Sequence, residues 1–335
     1  MVPGRAEAGR VGVVEWGGGA GEVVVQGLLV GVCATDVEIV RDGFGELPVG
    51  RREFVLFHES LGRVVAAPDG AGVGVGDLVV GVVRRPDPVP CAACAVGAWD
   101  FCRNGRYLER GIKGLDGYGV RRWSVPAGFA VRVDAGLADA GVLVEPASVV
   151  AKAWAQVEAQ CVRTYTEPRT ALITGAGPVG LLAALFGVQR GLDVHVVDQV
   201  SDGPKPGLVK RLGARYHRQV PDMEVDVAIE CTGNVEVIRE CLRAAGVTVL
   251  AGLSGHRDEV VVGSEVFDGM VLGNRSVTGT VNAGLEDYRT AAAALADADR
   301  GWLHDLITRR VPLHDFTAAF DRHDDDVKVV VDLTA

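Results

Sequence analysis

Apolar positions along this chain follow two rhythms, and the change comes near residue 143. Before it, short alternating or apolar runs predict strands at VGVVE (11–15), EVVVQGLLVGV (22–32), GRVVAA (62–67) and DLVVGVV (77–83). Gly- and Pro-rich stretches separate them, as expected where many turns need positive φ. After it, VEPASVVAKAWAQVEAQ sets Val144, Ala147, Val150, Ala151 and Trp154 at helical spacing. Strands and helices then alternate. The pattern predicts strands over 170–174, 193–198, 225–232, 247–252 and 276–280, with helices over 178–190, 208–213 and 235–245. In the tail it predicts helices LEDYRTAAAALADA and HDFTAAF and a last strand, VKVVVDL. A βαβ rhythm of this kind indicates an α/β fold with a parallel, doubly wound sheet, preceded by a β-rich region.

At 335 residues the chain has room for about two domains of roughly 150 residues each. Its 48% hydrophobic and 23% charged residues exclude a disordered, collagen-like or coiled-coil chain. A formal charge of −10 argues against a phosphate-backbone binder, so no nucleic-acid partner is expected. No apolar run approaches the roughly 20 residues that span a bilayer, and MVPGRAEAGR lacks the apolar core of a secretory signal. The expectation is no membrane partner and a cytoplasmic location. The acidic run Asp324–Asp326 reads as a solvated turn.

Two features carry chemistry. GAGPVG (175–180) matches G-x-G-x-x-G, with a predicted strand before it, a helix after it and Asp198 ending the next strand. Gly175 permits the tight turn, Gly177 admits a pyrophosphate to the backbone, and Gly180 lets helix pack on strand. With Pro178 and Val179 these form a cofactor-binding turn, and Asp198 is placed to accept from an adenosine ribose. Its carboxylate would repel a 2′-phosphate, and Gln199, Val200 and Ser201 supply no Arg clamp. NAD is therefore expected over NADP, with Lys205 and Lys210 as the nearby residues that work against this. The second feature is the distribution of seven cysteines, too scattered for a disulfide framework. Cys161, Cys231 and Cys241 read as core thiols. Cys91, Cys94 and Cys102 crowd into CAACAVGAWDFC, and Cys33 sits in GVCATD. Cys33, His58 in LFHES and Glu145 in LVEPAS are ligand types that Zn²⁺ accepts. They lie in three separate segments, and spacing alone does not pair them.

GVCATD, then HE about 25 residues later, then C-x₂-C-x₇-C and GAGPVG, resembles the zinc-dependent medium-chain dehydrogenase/reductase family. Within it the chain is most similar to the glucose 1-dehydrogenase branch, through YLERGIKGLDGYG (107–119), LVEPASVVAKAW (143–154), VFDGMVLGNRSVTGTVNAGLEDY (266–288) and LHDLITRRVPLHDFTAAF (303–320). The resemblance implies a GroES-like β-rich catalytic domain over 1–148, completed by 285–335, and an NAD(P)-binding Rossmann domain over 149–284. It implies Cys33, His58 and Glu145 as ligands of a catalytic zinc, with Glu59 an occasional ligand or a carboxylate just behind the ligands. Thr35 would reach the reacting hydroxyl and relay its proton, and Asp36 would orient His58. Glu109 and Asn282 fall where that branch contacts sugar hydroxyls, and Asn282 also borders the nicotinamide.

Two departures from the family stand out. Its structural-zinc pattern has a fourth cysteine where this chain has Pro88, so Cys91, Cys94 and Cys102 would need another ligand, for which Asp87 is the candidate. Phe57 replaces the usual Gly before His-Glu and is expected to narrow the floor of the site. The remaining histidines considered, His217, His256, His304, His314 and His323, read as surface or loop residues.

The expected activity is zinc- and NAD(P)-dependent hydride transfer from a secondary alcohol or hemiacetal carbon of a polyhydroxylated ring, either an aldose such as glucose or a cyclitol or aminocyclitol. Competing readings are a simple alcohol dehydrogenase, a zinc-free quinone reductase, or a non-catalytic NAD-binding sensor or scaffold. The last two predict lost zinc ligands, and all three residues stand. The resemblance also implies a homodimer or homotetramer.

Overall fold

The computed structural model describes residues 12, 21–253 and 262–335; the strand expected at 11–15 and His256 fall outside them. Two compact units result, one of residues up to Ser148 together with Ala283–Ala335, the other Val149–Asn282.

The first unit opens with strand β1 (Glu22–Val32), whose alternation of half-buried and buried positions is that of a one-faced strand. Helix α1 (Ala34–Asp42) follows directly, a helix that the apolar pattern did not predict. Then come β2 (Glu59–Ala66), β3 (Leu78–Gly81), β4 (Arg84–Arg85), the one-turn helix α2 (Ala92–Ala95), β5 (Leu108–Arg110), β6 (Gly114–Leu115), β7 (Arg122–Pro126) and β8 (Ala130–Val133). Helix α3 (Val144–Thr164) contains the boundary between the units.

The second unit holds β9 (Thr170–Thr174), α4 (Pro178–Gln189), β10 (Asp193–Val197), α5 (Pro204–Arg211), β11 (Arg215–His217) and β12 (Val225–Glu230). It continues with α6 (Val235–Ala244), β13 (Ala245–Leu250), α7 (Ser264–Leu272) and β14 (Ser276–Gly279). Its strands lie in the order β11-β10-β9-β12-β13-β14, every pairing parallel. In chain order this is 3-2-1-4-5-6, the doubly wound dinucleotide-binding topology, with its switch point between β9 and β12.

The chain then returns to the first unit through α8 (Leu285–Ala296), α9 (Arg300–Leu306), β15 (Ile307–Pro312), a 3-10 segment (Leu313–Phe320) and β16 (Lys328–Asp332). Here β16 pairs antiparallel with β1, inside the sheet β15-β16-β1-β2-β3-β8. A strand about 300 residues along the chain thus lies beside the strand that leads into Cys33. The core of this unit includes Val30, Phe54, Phe57, Tyr118, Phe316, Phe320 and Val331.

Phe57 corrects one expectation. Its φ is +71, the left-handed backbone that explains why the family uses glycine there, and a bulky residue so placed costs on the order of 1–3 kcal/mol. Its ring does not narrow the site. It stacks on Phe320 at 5.9 Å and meets Phe316 edge-on at 6.4 Å. The GLDGYG stretch braces the strain: Tyr118 N donates to Phe57 O at 2.7 Å and Gly119 N to Leu56 O at 3.0 Å. A Cβ at Gly117 would meet Leu56 O at 2.3 Å, so the approach requires glycine.

Two other expectations change in part. Asp324 and Asp325 are exposed in a turn as expected, but Asp326 is half-buried: Arg309 grips both its carboxylate oxygens, at 3.0 and 2.7 Å, holding β15 to the turn before β16. His217 lies in β11, with its ring stacked on that of the buried His195 at 5.0 Å. His304, His314 and His323 are exposed.

Candidate active site

Cys33 is the N-cap of α1, and Asp36, three residues on, accepts from Cys33 N at 2.9 Å through its Oδ2. This capping geometry fixes the end of β1 and the first turn of α1 together. Asp36 Oδ1 then faces His58 Nδ1 at 3.7 Å, which leaves His58 Nε2 3.2 Å from Cys33 Sγ. Asp36 thus lies beside His58 Nδ1 without a hydrogen bond to it, and its own position comes from the helix cap. Glu145, in the first turn of α3, contributes a buried carboxylate, and Ser148 Oγ donates to Glu145 O at 2.6 Å.

Ligand atoms of Cys33, Asp36 and His58 lie within 4.8 Å of one another, as do those of His58, Glu59 and Glu145. His58 is the shared member of the two groups; neither holds Cys33 and Glu145 together. Thr35 is half-buried on the first turn of α1.

Charge in this cluster is poorly compensated. Burial pushes the Cys33 thiol and the Asp36 carboxyl above their ordinary values, against the opposing pull of His58. Burial, partly offset by His58, raises Glu145 to about 7. Burial also works against a charged imidazole at His58, but Cys33 and Asp36 outweigh it and hold the ring well above its usual range. Asp36 Oδ1, His58 Nδ1 and Glu59 Oε2 are buried without a hydrogen-bond partner. Each such atom costs about 1–3 kcal/mol. Asp36 Oδ1 and His58 Nδ1 face each other, so the orphan that lacks any counterpart is Glu59 Oε2; beside a thiol, an imidazole and a carboxylate it fits a divalent cation, and zinc takes these donor types.

Sequence reasoning missed Lys328. Its Nζ donates to Val32 O at 3.0 Å and to Glu59 Oε1 at 2.5 Å, although 269 residues separate lysine and glutamate. A lysine in an apolar terminal strand gives no signal until the pairing of β16 with β1 is known.

Glu109 sits apart from this cluster, on β5 opposite Arg84 of β4. Arg84 Nε and Nη2 both reach its Oε1, at 3.0 and 2.9 Å, while Arg84 Nη1 donates to Asp100 O at 3.0 Å. The guanidinium lies 3.8 Å from the Tyr107 ring centre. Glu109 is thus a held carboxylate whose charge Arg84 already balances.

Cys91, Cys94 and Cys102 bring their sulfurs within 4.8 Å of one another. Backbone N–H groups of Arg103, Cys94 and Ala93 aimed at Cys91 lower its pKa to about 6. Asp87 does not complete the set. Its carboxylate accepts from Val89 N at 2.8 Å, Asn104 Nδ2 at 2.9 Å and Arg106 Nε at 3.2 Å. Those bonds point it away from a ligand role, and it lies outside the group formed by the thiols.

In the second unit, Gly175 has φ +88, Gly177 caps α4 and Pro178 begins it. A Cβ at Gly180 would sit 1.7 Å from Gly175 O, whereas one at Gly177 would meet nothing within 4 Å. Gly180 therefore serves packing, and Gly177 keeps an approach open to the helix N-terminus, a kind of helix end that favours anions. Val179 lies in the first turn of α4. Asp198 follows β10, but it is not an isolated charge. Its Oδ2 accepts from Ala176 N at 2.7 Å and Lys205 Nζ at 3.2 Å, and its Oδ1 from Val200 N at 3.1 Å. These donors hold its pKa below the ordinary value despite burial. Lys210 is exposed. Asn282 ends this unit with φ +57, next to Val281, whose carbonyl accepts from the buried Lys152 at 3.1 Å. Cys161 and Cys241 are buried, as expected of core thiols, and Cys231 is half-buried.

Residues 19–153 match the alcohol dehydrogenase GroES-like domain, and residues 138–333 match the glucose dehydrogenase C-terminus. The chain belongs to the zinc-dependent medium-chain dehydrogenase/reductase family, near its glucose dehydrogenase branch. It is 39% identical to glucose 1-dehydrogenase of Thermoproteus tenax, over 93% of this chain and 92% of that one. It is 34% identical to glucose 1-dehydrogenase of Methanocella arvoryzae, over 95% and 93%. Among solved structures it is similar to Haloferax mediterranei glucose dehydrogenase in complex with NADP, Zn and gluconolactone, with a TM-score of 0.86, 30% identity and coverage of 96% and 95%.

That family member binds NADP, and Lys205 balances Asp198 here, so the expected preference for NAD loses its basis. The repulsion on which it rested belongs to an uncompensated carboxylate. No described helix is long and apolar enough to cross a membrane.

Proposed function

We propose that the protein is a zinc- and NAD(P)-dependent dehydrogenase that oxidises an aldose at its anomeric carbon. The observation that carries this is the pair of ligand groups that share His58, one with Cys33 and Asp36 and the other with Glu59 and Glu145, on a chain whose relatives are named glucose 1-dehydrogenases. Bound at Cys33, His58 and Glu145, zinc would supply Lewis-acid polarisation of the substrate hydroxyl, and bound NAD(P)⁺ would accept the hydride.

The chain's own groups do the rest. Asp36 keeps His58 turned so that Nε2 faces the cluster, fixing the tautomer in which Nδ1 carries the proton. Thr35 takes the hydroxyl proton and passes it to solvent. In balance, the hemiacetal C–H leaves as hydride, the O–H as a proton, and the product is a lactone. Glu109 accepts from sugar hydroxyls. Because Arg84 already neutralises it, a polyol suits this carboxylate better than an aminated ring. The Gly175–Gly180 turn and the N-terminus of α4 hold the pyrophosphate. Asn282 adds contacts to sugar and nicotinamide.

With Asp198 balanced by Lys205, NADP is accepted as well as NAD. A second zinc would be held by Cys91, Cys94 and Cys102, where backbone N–H groups favour the thiolate at Cys91, and would need a fourth ligand from outside this group. Exposed Phe267, Val271 and Leu272 on α7, beside Val277 on the edge strand β14, support pairing with a second copy of the chain.

The test is a screen of NAD⁺ and NADP⁺ reduction with aldoses, cyclitols and primary alcohols, with zinc measured on the same sample. Aldose turnover that disappears with chelation and returns with zinc is expected. Turnover restricted to simple alcohols, or unaffected by loss of zinc, would overturn the proposal.

A further inference from the structure

Lys328 is among the most deeply buried charges in the first unit, with 1% of its surface exposed, and the chemistry above does not use it. A buried ammonium persists only when it is paired. Both of its hydrogen-bond partners belong to the segments that carry the metal cluster: Val32 precedes Cys33, and Glu59 follows His58.

The fold also reserves space for Glu59. In the β1–β2 register Gly31 lies opposite it, and a Cβ at Gly31 would fall 1.8 Å from Glu59 Oε2. That oxygen is buried without a hydrogen-bond partner, while a carboxylate oxygen of Glu59 lies within 4.8 Å of the ligand atoms of His58 and Glu145. Glu59 therefore stands between two cationic partners, the ammonium and the metal.

Resting on the zinc reading, we propose that Lys328 is a positioning residue that withholds Glu59 from the metal and so keeps a coordination position open for substrate. A catalytic zinc needs three protein ligands and one free position, and a fourth carboxylate at this distance would close it. The ammonium offers that carboxylate a competing partner. It also adds one positive charge to a cluster that contains a thiol and three carboxyl groups. The strand that carries it is set by the β16–β1 pairing, so the competition is built into the sheet.

Lys328→Met tests this directly. Freed of its partner, Glu59 moves onto the metal. Zinc should then leave to excess EDTA about 10-fold or more slowly, and kcat should fall by a similar factor, the scale of outer-ligand effects at metal sites. In the cobalt(II)-substituted wild-type protein, added imidazole should change the visible spectrum by entering the open position; in Lys328→Met it should not. Lys328→Met/Glu59→Gln removes both buried charges and should restore wild-type metal release and the imidazole response.

Metal lost from Lys328→Met at the wild-type rate or faster, or a cobalt spectrum that still responds, would overturn the proposal. Should the single variant fail to fold, the double variant decides: slow, imidazole-blind metal binding there would overturn it, and wild-type behaviour would sustain it. A wild-type protein that binds no zinc defeats the zinc reading itself, which distinguishes that failure from this one.

Discussion

The glycine turn proposed for the dinucleotide and the candidate metal cluster are built in opposite ways. The turn uses backbone: Gly175, Gly177 and the first residues of α4 come from one contiguous stretch, and its partner Asp198 lies only 22 residues from Ala176. The cluster uses side chains from the start of α1, the entry to β2, α3 and β16, tied together by contacts such as Lys328 to Glu59 across 269 residues. A backbone site depends on glycines and tolerates change elsewhere. A side-chain site depends on every strand that delivers a donor.

That contrast decides what should fail first. His58→Ala removes the member common to both ligand groups and should lower kcat/KM by roughly 10³-fold or more, since metal polarisation supplies several kcal/mol. Zinc content should fall with it while NAD(P) still binds, as read by metal analysis and nucleotide titration. In the turn, two glycines should separate folding from binding. Gly180→Ala forces a Cβ against a backbone oxygen and should cost about 1–3 kcal/mol in denaturant unfolding. Gly177→Ala fills open space, so stability should hold while the dinucleotide Kd rises. Equal behaviour of these two variants would break the distinction drawn between them.

Smaller effects sharpen the picture outside both sites. Glu109→Gln keeps shape but removes the charge that Arg84 balances, and should raise the aldose KM about 10-fold with less effect on kcat, on the scale of a charged hydrogen bond. An unchanged KM for every sugar tested would remove Glu109 from the pocket. Asp326→Asn should cost about 1–3 kcal/mol at pH 7. Arg309 and the His323 amide hold the Asp326 pKa below its ordinary value despite some burial. The stabilisation is therefore present above the unfolded pKa of about 3.9 and is lost as pH falls through the folded value. Unfolding curves of wild type and variant should converge in acid.

How far each part could be read from the sequence follows the same division. The parallel sheet and its glycine turn were legible because βαβ periodicity and G-x-G-x-x-G are local signals. The pairing of Cys33 with His58, and of His58 with Glu145, was suggested only by family resemblance, because these segments lie far apart in the chain. Two readings failed where a partner was hidden: Asp87 looked available until Asn104 and Arg106 claimed it, and Phe57 looked like a wall of the site until its ring was found in the core. At Asp198 the sequence already offered Lys205 as a counterweight, and the ion pair between them removes the basis for preferring NAD. Helix α1 escaped notice because its nine residues, ATDVEIVRD, are too short and polar for a clear period. Lys328 had no motif at all.

Diffraction data collected at the zinc absorption edge from the purified protein test the central claim most directly. The account predicts an anomalous peak bonded to Cys33 Sγ at about 2.3 Å and to His58 Nε2 at about 2.0–2.1 Å, with a Glu145 oxygen completing the protein ligands. A peak confined to Cys91, Cys94 and Cys102, or none in the crystal of an active protein, would contradict it.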